Sequence, residues 1–256
     1  MKTSPHSNLT YVFSAASRAV GKTIFSDANA SARWLGRVAY LHGLAIMESL
    51  LCEKMASLQK DWFLYLEHEP VITYGRTTPA HHLPPTEANI PRLEVSRGGL
   101  ATYHGPGQLV GYVICDLRRR ARGAPPDLHE FLRALEEGIA AYLTEEWHLF
   151  AGSLEGRTGV WITNATPPRK IVSIGIGVRR WITYHGFAIN VFNDLQIFSQ
   201  FVPCGLEGVT MTSLAAELQV KPDTKKTLDL KAVATALHPY VISSLRLHGW
   251  CWAEVV

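Results

Sequence analysis

Cysteine is scarce in this 256-residue chain. Its four residues, Cys52, Cys115, Cys204 and Cys251, include no CxxC pair, and no secretory signal precedes them. A disulfide framework and a structural zinc site are therefore not expected, and a reducing compartment is. No apolar run reaches eighteen residues, so no membrane partner is expected. A strong charge of one sign is also missing, and a formal net charge of +3 is too small to indicate nucleic acid. There is no fixed-period repeat and no long low-complexity tract.

Several familiar signatures fail as well. A GxxxxGK[ST] phosphate loop needs a lysine, and none lies between Arg97 and Tyr112. The dinucleotide fingerprint GxGxxG breaks at Val110, where a strand follows instead of a helix. Neither GxSxG nor HExxH occurs. His68, His81 and His82 make no convincing ligand set, so no metal is expected.

What the chain does have is 47% hydrophobic residues against 18% charged, enough for one buried core at this length. Residues 1–32 differ from the rest. They are rich in Ser and Ala, and among Lys2, Arg18 and Lys22 they carry one acid, Asp27. Two readings stand: a frayed N-terminal extension, or an organelle transit peptide, which would move the expected cytoplasmic location to mitochondria. The remaining residues, 33–256, read as one folded domain.

Periodicity predicts a helix from Tyr40 with Leu41, Leu44, Ala45, Glu48, Leu51 and Met55 on one face. Two short strands follow, broken at Pro70. The proline-rich run TTPAHHLPPTEANIP is predicted to be loop, and a strand begins at Leu109. Asp127 with Glu130 marks the start of a second helix, whose apolar positions run from Leu128 through Phe131, Leu132, Leu135, Ile139, Tyr142 and Leu143. GVWI, KIVSIGIGV and WITYHGFAINV are β-rich. A short helix at TSLAAEL and a last one from about Asp229 complete a single α/β domain, with helices flanking a mixed sheet.

Three stretches carry chemistry. RGGLATYHGPGQL places glycines at 98, 99, 105 and 107, where backbone N–H groups can approach a ligand with no Cβ in the way. Arg97, Thr102, Tyr103, His104 and Gln108 add polar groups to that wall, although His104 reads equally well as a core histidine. In FVPCGLEG, Cys204 sits between proline and glycine, the best context for a nucleophile among the four cysteines; the alternative is an inert buried thiol. In RKIVSIGIGV, Lys170 opens an apolar strand. It is either a cation held inside or a strand-end lysine reaching solvent. The basic run RRRAR, Arg118–Arg122, reads either as a dock for an acidic carrier protein or as a solvated loop.

Together RGGLATYHGPGQL, TGVW, RKIVSIGIGV, ITYHGFAIN and FVPCGLEGVTMTSL, in this order, resemble the lipoyl(octanoyl) transferase family, over roughly Trp34–Leu245. The resemblance implies the fold of lipoate and biotin protein ligases. It implies transfer of an octanoyl group from acyl carrier protein to a lysine of a lipoyl domain, in 2-oxoacid dehydrogenase complexes or the glycine cleavage H protein, with no cofactor. By motif, Cys204 would be the acyl-thioester nucleophile and Lys170 the residue that lowers its pKa. Arg97, Gly98, Gly99, Leu100, Ala101, Thr102, Tyr103, His104, Ser173, Ile174, Gly175, Gly186, Phe187 and Ala188 would bind substrate. The rival expectations are an ATP-dependent ligase, which needs no catalytic thiol, and a non-catalytic protein that binds an acyl chain or a lipoyl domain.

Overall fold

The computed structural model describes residues 21–57, 60–84, 90–220 and 228–250. Its elements, in chain order, are β1 (Lys22–Ser26), β2 (Ala30–Val38), α1 (Tyr40–Ser57), β3 (Asp61–His68), β4 (Val71–Gly75), β5 (Arg92–Val95), β6 (Thr102–His104), β7 (Gln108–Ile114), α2 (Leu128–Trp147), β8 (Ala151–Leu154), β9 (Arg157–Ile162), β10 (Arg169–Arg179), β11 (Ile182–Asn190), β12 (Thr210–Met211), α3 (Leu214–Glu217) and α4 (Leu230–Leu247). The large sheet runs β1-β2-β3-β7-β11-β10-β9-β8, with β12 alongside β10, and β5-β4-β6 form a small second sheet. The large sheet is mixed: β2–β3 and β10–β12 are parallel and its other pairs antiparallel.

The central strands β7 and β11 are buried along their whole length, which is why they read as nearly continuous apolar runs. On one face, Phe131, Leu135 and Ile139 of α2 and Leu237 and Val241 of α4 pack over the sheet. On the other, α1 contributes Met47, Leu50 and Leu51. The predicted start of α2 is present: the Asp127 side chain accepts from the Glu130 N–H at 3.0 Å. The Glu130 carboxylate bonds to His248 instead of returning to the cap.

Three expectations change. The buried face of α1 is Tyr40, Gly43, Ile46, Met47, Leu50, Leu51 and Lys54, while Leu41 is exposed. Part of this face is not hydrophobic, so an apolar stripe cannot locate it. Gly43 lies against His68 and Leu66, and the Lys54 ammonium pairs with Asp61 at 2.5 Å, both side chains buried. Second, β1 and β2 extend the large sheet, and β2 runs through the boundary drawn at residue 32, with Ala30 and Ala32 in the core. Small residues that read as an extension are there to pack closely; residues 1–20 lie outside the described residues. Third, the glycine stretch, read as a ligand-facing wall, contains the short strand β6.

The basic run is tied inward. Arg118 forms a two-pronged pair with Asp116, Arg119 lies 3.9 Å from the buried Asp61, and Arg120 stacks over Trp250 and reaches the carbonyls of Pro125 and His248.

Candidate active site

Where the small sheet meets the middle of the large one, β6, β10, β11, the first turns of α2 and the loop after β11 enclose a cleft of about 400 Å³. That is within the size range of small-molecule sites. Leu100, Val110, Leu128, Leu132, Ile174 and Phe187 make much of it apolar.

Cys204 lies on this cleft in a tight turn, Pro203–Gly205, with left-handed backbone at φ 55° and ψ 17°. Its N–H donates to the Ala101 carbonyl at 2.7 Å, which ties the turn to the chain entering β6. The half-buried thiol lies 3.6 Å from the Ser173 hydroxyl of β10, within contact range for a sulfur hydrogen bond.

Lys170 lines the same cleft and is 2% exposed, so it is held inside and does not reach out to solvent. The pairing of β10 with β9 shifts register between Lys170 and Val172. That bulge lets Lys170 and Ser173, an odd number of residues apart, share one wall. The ammonium donates to the Thr158 carbonyl at 2.9 Å and stands 5.2 Å from the centre of the Trp161 ring.

Arg97 is pinned across the junction of the two sheets. It donates to the carbonyl and hydroxyl of Thr73, both at 2.9 Å, and to the Gly98 carbonyl at 3.0 Å. Burial pulls the guanidinium below its ordinary pKa, opposed by the nearby Tyr40, Cys204 and Tyr112. Gly175 opposite must lack a side chain, because a Cβ there would meet the Gly98 carbonyl oxygen at 2.8 Å and the Arg97 side chain at 3.3 Å.

Of the expected binding residues, Arg97, Gly98, Gly99, Leu100, Thr102, His104, Ser173, Ile174, Gly175, Gly186, Phe187 and Ala188 line the cleft. Ala101 and Tyr103 do not: alternation along β6 turns Tyr103 toward Phe198 in a separate apolar cluster, beside Ala101. Gly105 and Gly107 also lie outside the lining. Two glycine N–H groups serve the protein itself, Gly98 donating to Ile176 and Gly107 to the Glu67 carboxylate.

Sequence reasoning missed the aromatic and histidine side chains that surround His104 on one side of the cleft. Tyr40, Tyr112 and His185 line it, and His68 donates to or accepts from the Tyr112 hydroxyl at 2.8 Å. His104 donates through Nδ1 to the Gln108 side-chain oxygen at 2.8 Å and stacks on Tyr40. Burial, reinforced by Arg97 and the neighbouring histidines, lowers His104 and His185 to about 3; burial lowers His68 to about 4. All three are therefore neutral at physiological pH. A signal was present in the chain: the tetrapeptide TYHG occurs twice, at 102–105 and 183–186, and both histidines line the cleft.

Residues 39–238 match the family model of the lipoyl protein ligase A/B catalytic domain. An octanoyltransferase of Geobacter sulfurreducens is 42% identical over 187 residues, 72% of this chain and 73% of that protein. One from Thermobifida fusca is 41% identical over 223 residues, 85% and 92% of the two chains. The chain belongs to the lipoyl(octanoyl) transferase family. It is accordingly a transferase enzyme. Among solved structures, a lipoate-protein ligase A bound with ATP superposes with TM-score 0.62 at 18% identity, covering 86% of this chain and 85% of that one. A bipartite lipoate protein ligase from Thermoplasma acidophilum gives 0.57 at 17%, covering 90% and 100%. The transferase thus shares its fold with lipoate ligases. Among the described residues no helix is long and apolar enough to cross a membrane.

Proposed function

We propose that this transferase moves an octanoyl group from the phosphopantetheine thioester of acyl carrier protein to a lysine amine of a lipoyl domain, through a thioester on Cys204. The observation that carries this reading is the presentation of Cys204 on a largely apolar cleft that also holds the buried ammonium of Lys170. The acceptors are the lipoyl domains of 2-oxoacid dehydrogenase complexes and the glycine cleavage H protein.

The Cys204 thiolate attacks the thioester carbonyl, forming a new C–S bond and expelling the phosphopantetheine thiolate, which takes up a proton. Thioester exchanges for thioester, so the step is close to isoenergetic and needs no nucleotide. The acceptor amine then attacks the Cys204 thioester, loses a proton, and leaves an amide with the cysteine sulfur released. Amide formation draws the sequence forward. Lys170 supports the thiolate as a buried cation, and Ser173 offers it a hydroxyl. The neutral histidines add no charge of their own to the cleft, where Arg97 is a second buried cation near Cys204. The location is cytoplasmic, or mitochondrial should the residues ahead of β1 be a transit peptide.

Intact-mass measurement after brief incubation with octanoyl-acyl carrier protein, without ATP, tests the proposal. One octanoyl group is expected on the wild type, removable by hydroxylamine and absent from Cys204→Ser. Activity that appears only with ATP and free octanoate would instead assign the chemistry of the ligases that share this fold.

A further inference from the structure

Lys170 is buried, yet no carboxylate lies within ion-pairing distance of it among the described residues. Burial disfavours an ammonium unless something compensates. The Thr158 carbonyl that receives its N–H belongs to the same peptide unit as the Gly159 N–H, and that N–H donates to the Glu136 carboxylate of α2 at 2.7 Å. The Thr158–Gly159 peptide therefore stands between a buried carboxylate and a buried ammonium, its N–H end toward the first and its C=O end toward the second. Its dipole is aligned with both charges. Gly159 has φ +123°, and a Cβ on it would lie 2.3 Å from the Val172 carbonyl oxygen and 2.9 Å from the Lys170 Cε, so the peptide is held where only glycine fits.

We infer that Glu136 is a positioning residue for the transfer reaction, keeping Lys170 charged through this peptide without binding its ammonium directly. The inference rests on the role proposed for Lys170 on the cleft it shares with Cys204. A direct ion pair would occupy the ammonium donors, whereas an interposed peptide uses one and leaves the cation on the cleft. Burial raises Glu136 above the ordinary carboxylate range, opposed by the Gly159 N–H and then by the Lys170 charge. The other charges bearing on Glu136 are Arg133 and Glu137 of α2; Arg157 of β9 lies over the Trp161 ring beside Lys170, and Arg97 lines the same cleft.

The test is the rate at which iodoacetamide alkylates Cys204, followed peptide by peptide in the mass spectrometer between about pH 5 and 9. Wild type, Lys170→Met and Glu136→Gln are compared. Glutamine keeps an acceptor for the Gly159 N–H and removes only the charge. Lys170→Met is expected to slow alkylation at neutral pH about tenfold, one unit of profile midpoint. Glu136→Gln should move the midpoint upward by a large part of that, with the limiting rate at high pH unchanged. A purely structural role would lower the limiting rate and leave the midpoint in place. If Lys170→Met shifts the profile and Glu136→Gln does not, the inference falls while the Lys170 role stands. A downward shift in Glu136→Gln also overturns it, since the carboxylate would then act directly on the sulfur. If neither variant shifts, the Lys170 role itself fails and takes this inference with it. Glu136→Met, without charge or acceptor, gives the same comparison should the glutamine protein not fold.

Discussion

At Gly159 a single missing Cβ holds three groups in place: the strand carbonyl of Val172, the stem of Lys170 and the acceptor of its proton. Gly159→Ala is expected to cost about 3 kcal/mol in urea unfolding, from backbone strain and crowding together. It should also slow acyl transfer at least tenfold, because the alanine methyl takes the space of the lysine stem. Residues of this kind were only partly legible in the chain. Cys204 and Lys170 stand in recognisable surroundings, PCG and RKIVSIG, which local chemistry alone can single out. Nothing in the spacing could join them, however, since the bulge after Lys170 and the turn at Cys204 are made by tertiary packing. His185 escaped notice because a histidine inside an apolar strand reads as strand filling, and Glu136 because a glutamate in a helix reads as solvated surface.

Elements were legible where their apolar period was strong. The helices α2 and α4 follow from apolar spacing and the strands β7 and β11 from apolar, β-rich runs, although α2 also buries Glu136, which no apolar pattern marks. The helix α1 was recognised as a helix but with the wrong face inward, because its buried side includes Gly43 and the charged Lys54. The Lys54–Asp61 pair fastens the end of α1 to the start of β3, and Asp61 also accepts the Asp116 N–H beyond the end of β7. Asp61→Asn is expected to destabilise the fold by about 3–5 kcal/mol, the scale for breaking a buried ion pair, read as a fall in the urea midpoint. The basic run beyond β7 belongs to the same junction. With Arg118 on Asp116 and Arg120 over Trp250, charge reversal there would weaken the fold as well as any carrier-protein contact.

For the molecule as a whole, buried histidines set the response to acid. Burial lowers His68 and His238 to about 4 and, with help from neighbours, His104 and His185 to about 3. Unfolded, each takes up a proton near pH 6.5, so their contribution to stability is complete above about pH 6.5 and disappears as pH falls through 4 to 3. The unfolded chain then binds up to four more protons, each worth about 1.4 kcal/mol per pH unit. His248 has the opposite sign: partial burial pulls it down, but Glu137 and Glu130 outweigh that and raise it. Its stabilisation is present at low pH and is lost as pH rises through its folded value. Urea midpoints measured from pH 7 downward should therefore fall steadily below about 6.5, and a flat profile to pH 4.5 would show the histidines to be protonated in the folded chain.

The left-handed backbone at Cys204 restricts which side chain can take over the role proposed for this thiol. That conformation is tolerable for an unbranched side chain and strongly disfavoured for a β-branched one. A drift from sulfur to oxygen chemistry at this position is therefore open through serine and closed through threonine. A catalyst built on threonine would need a different turn first, and with it a different tether to the Ala101 carbonyl.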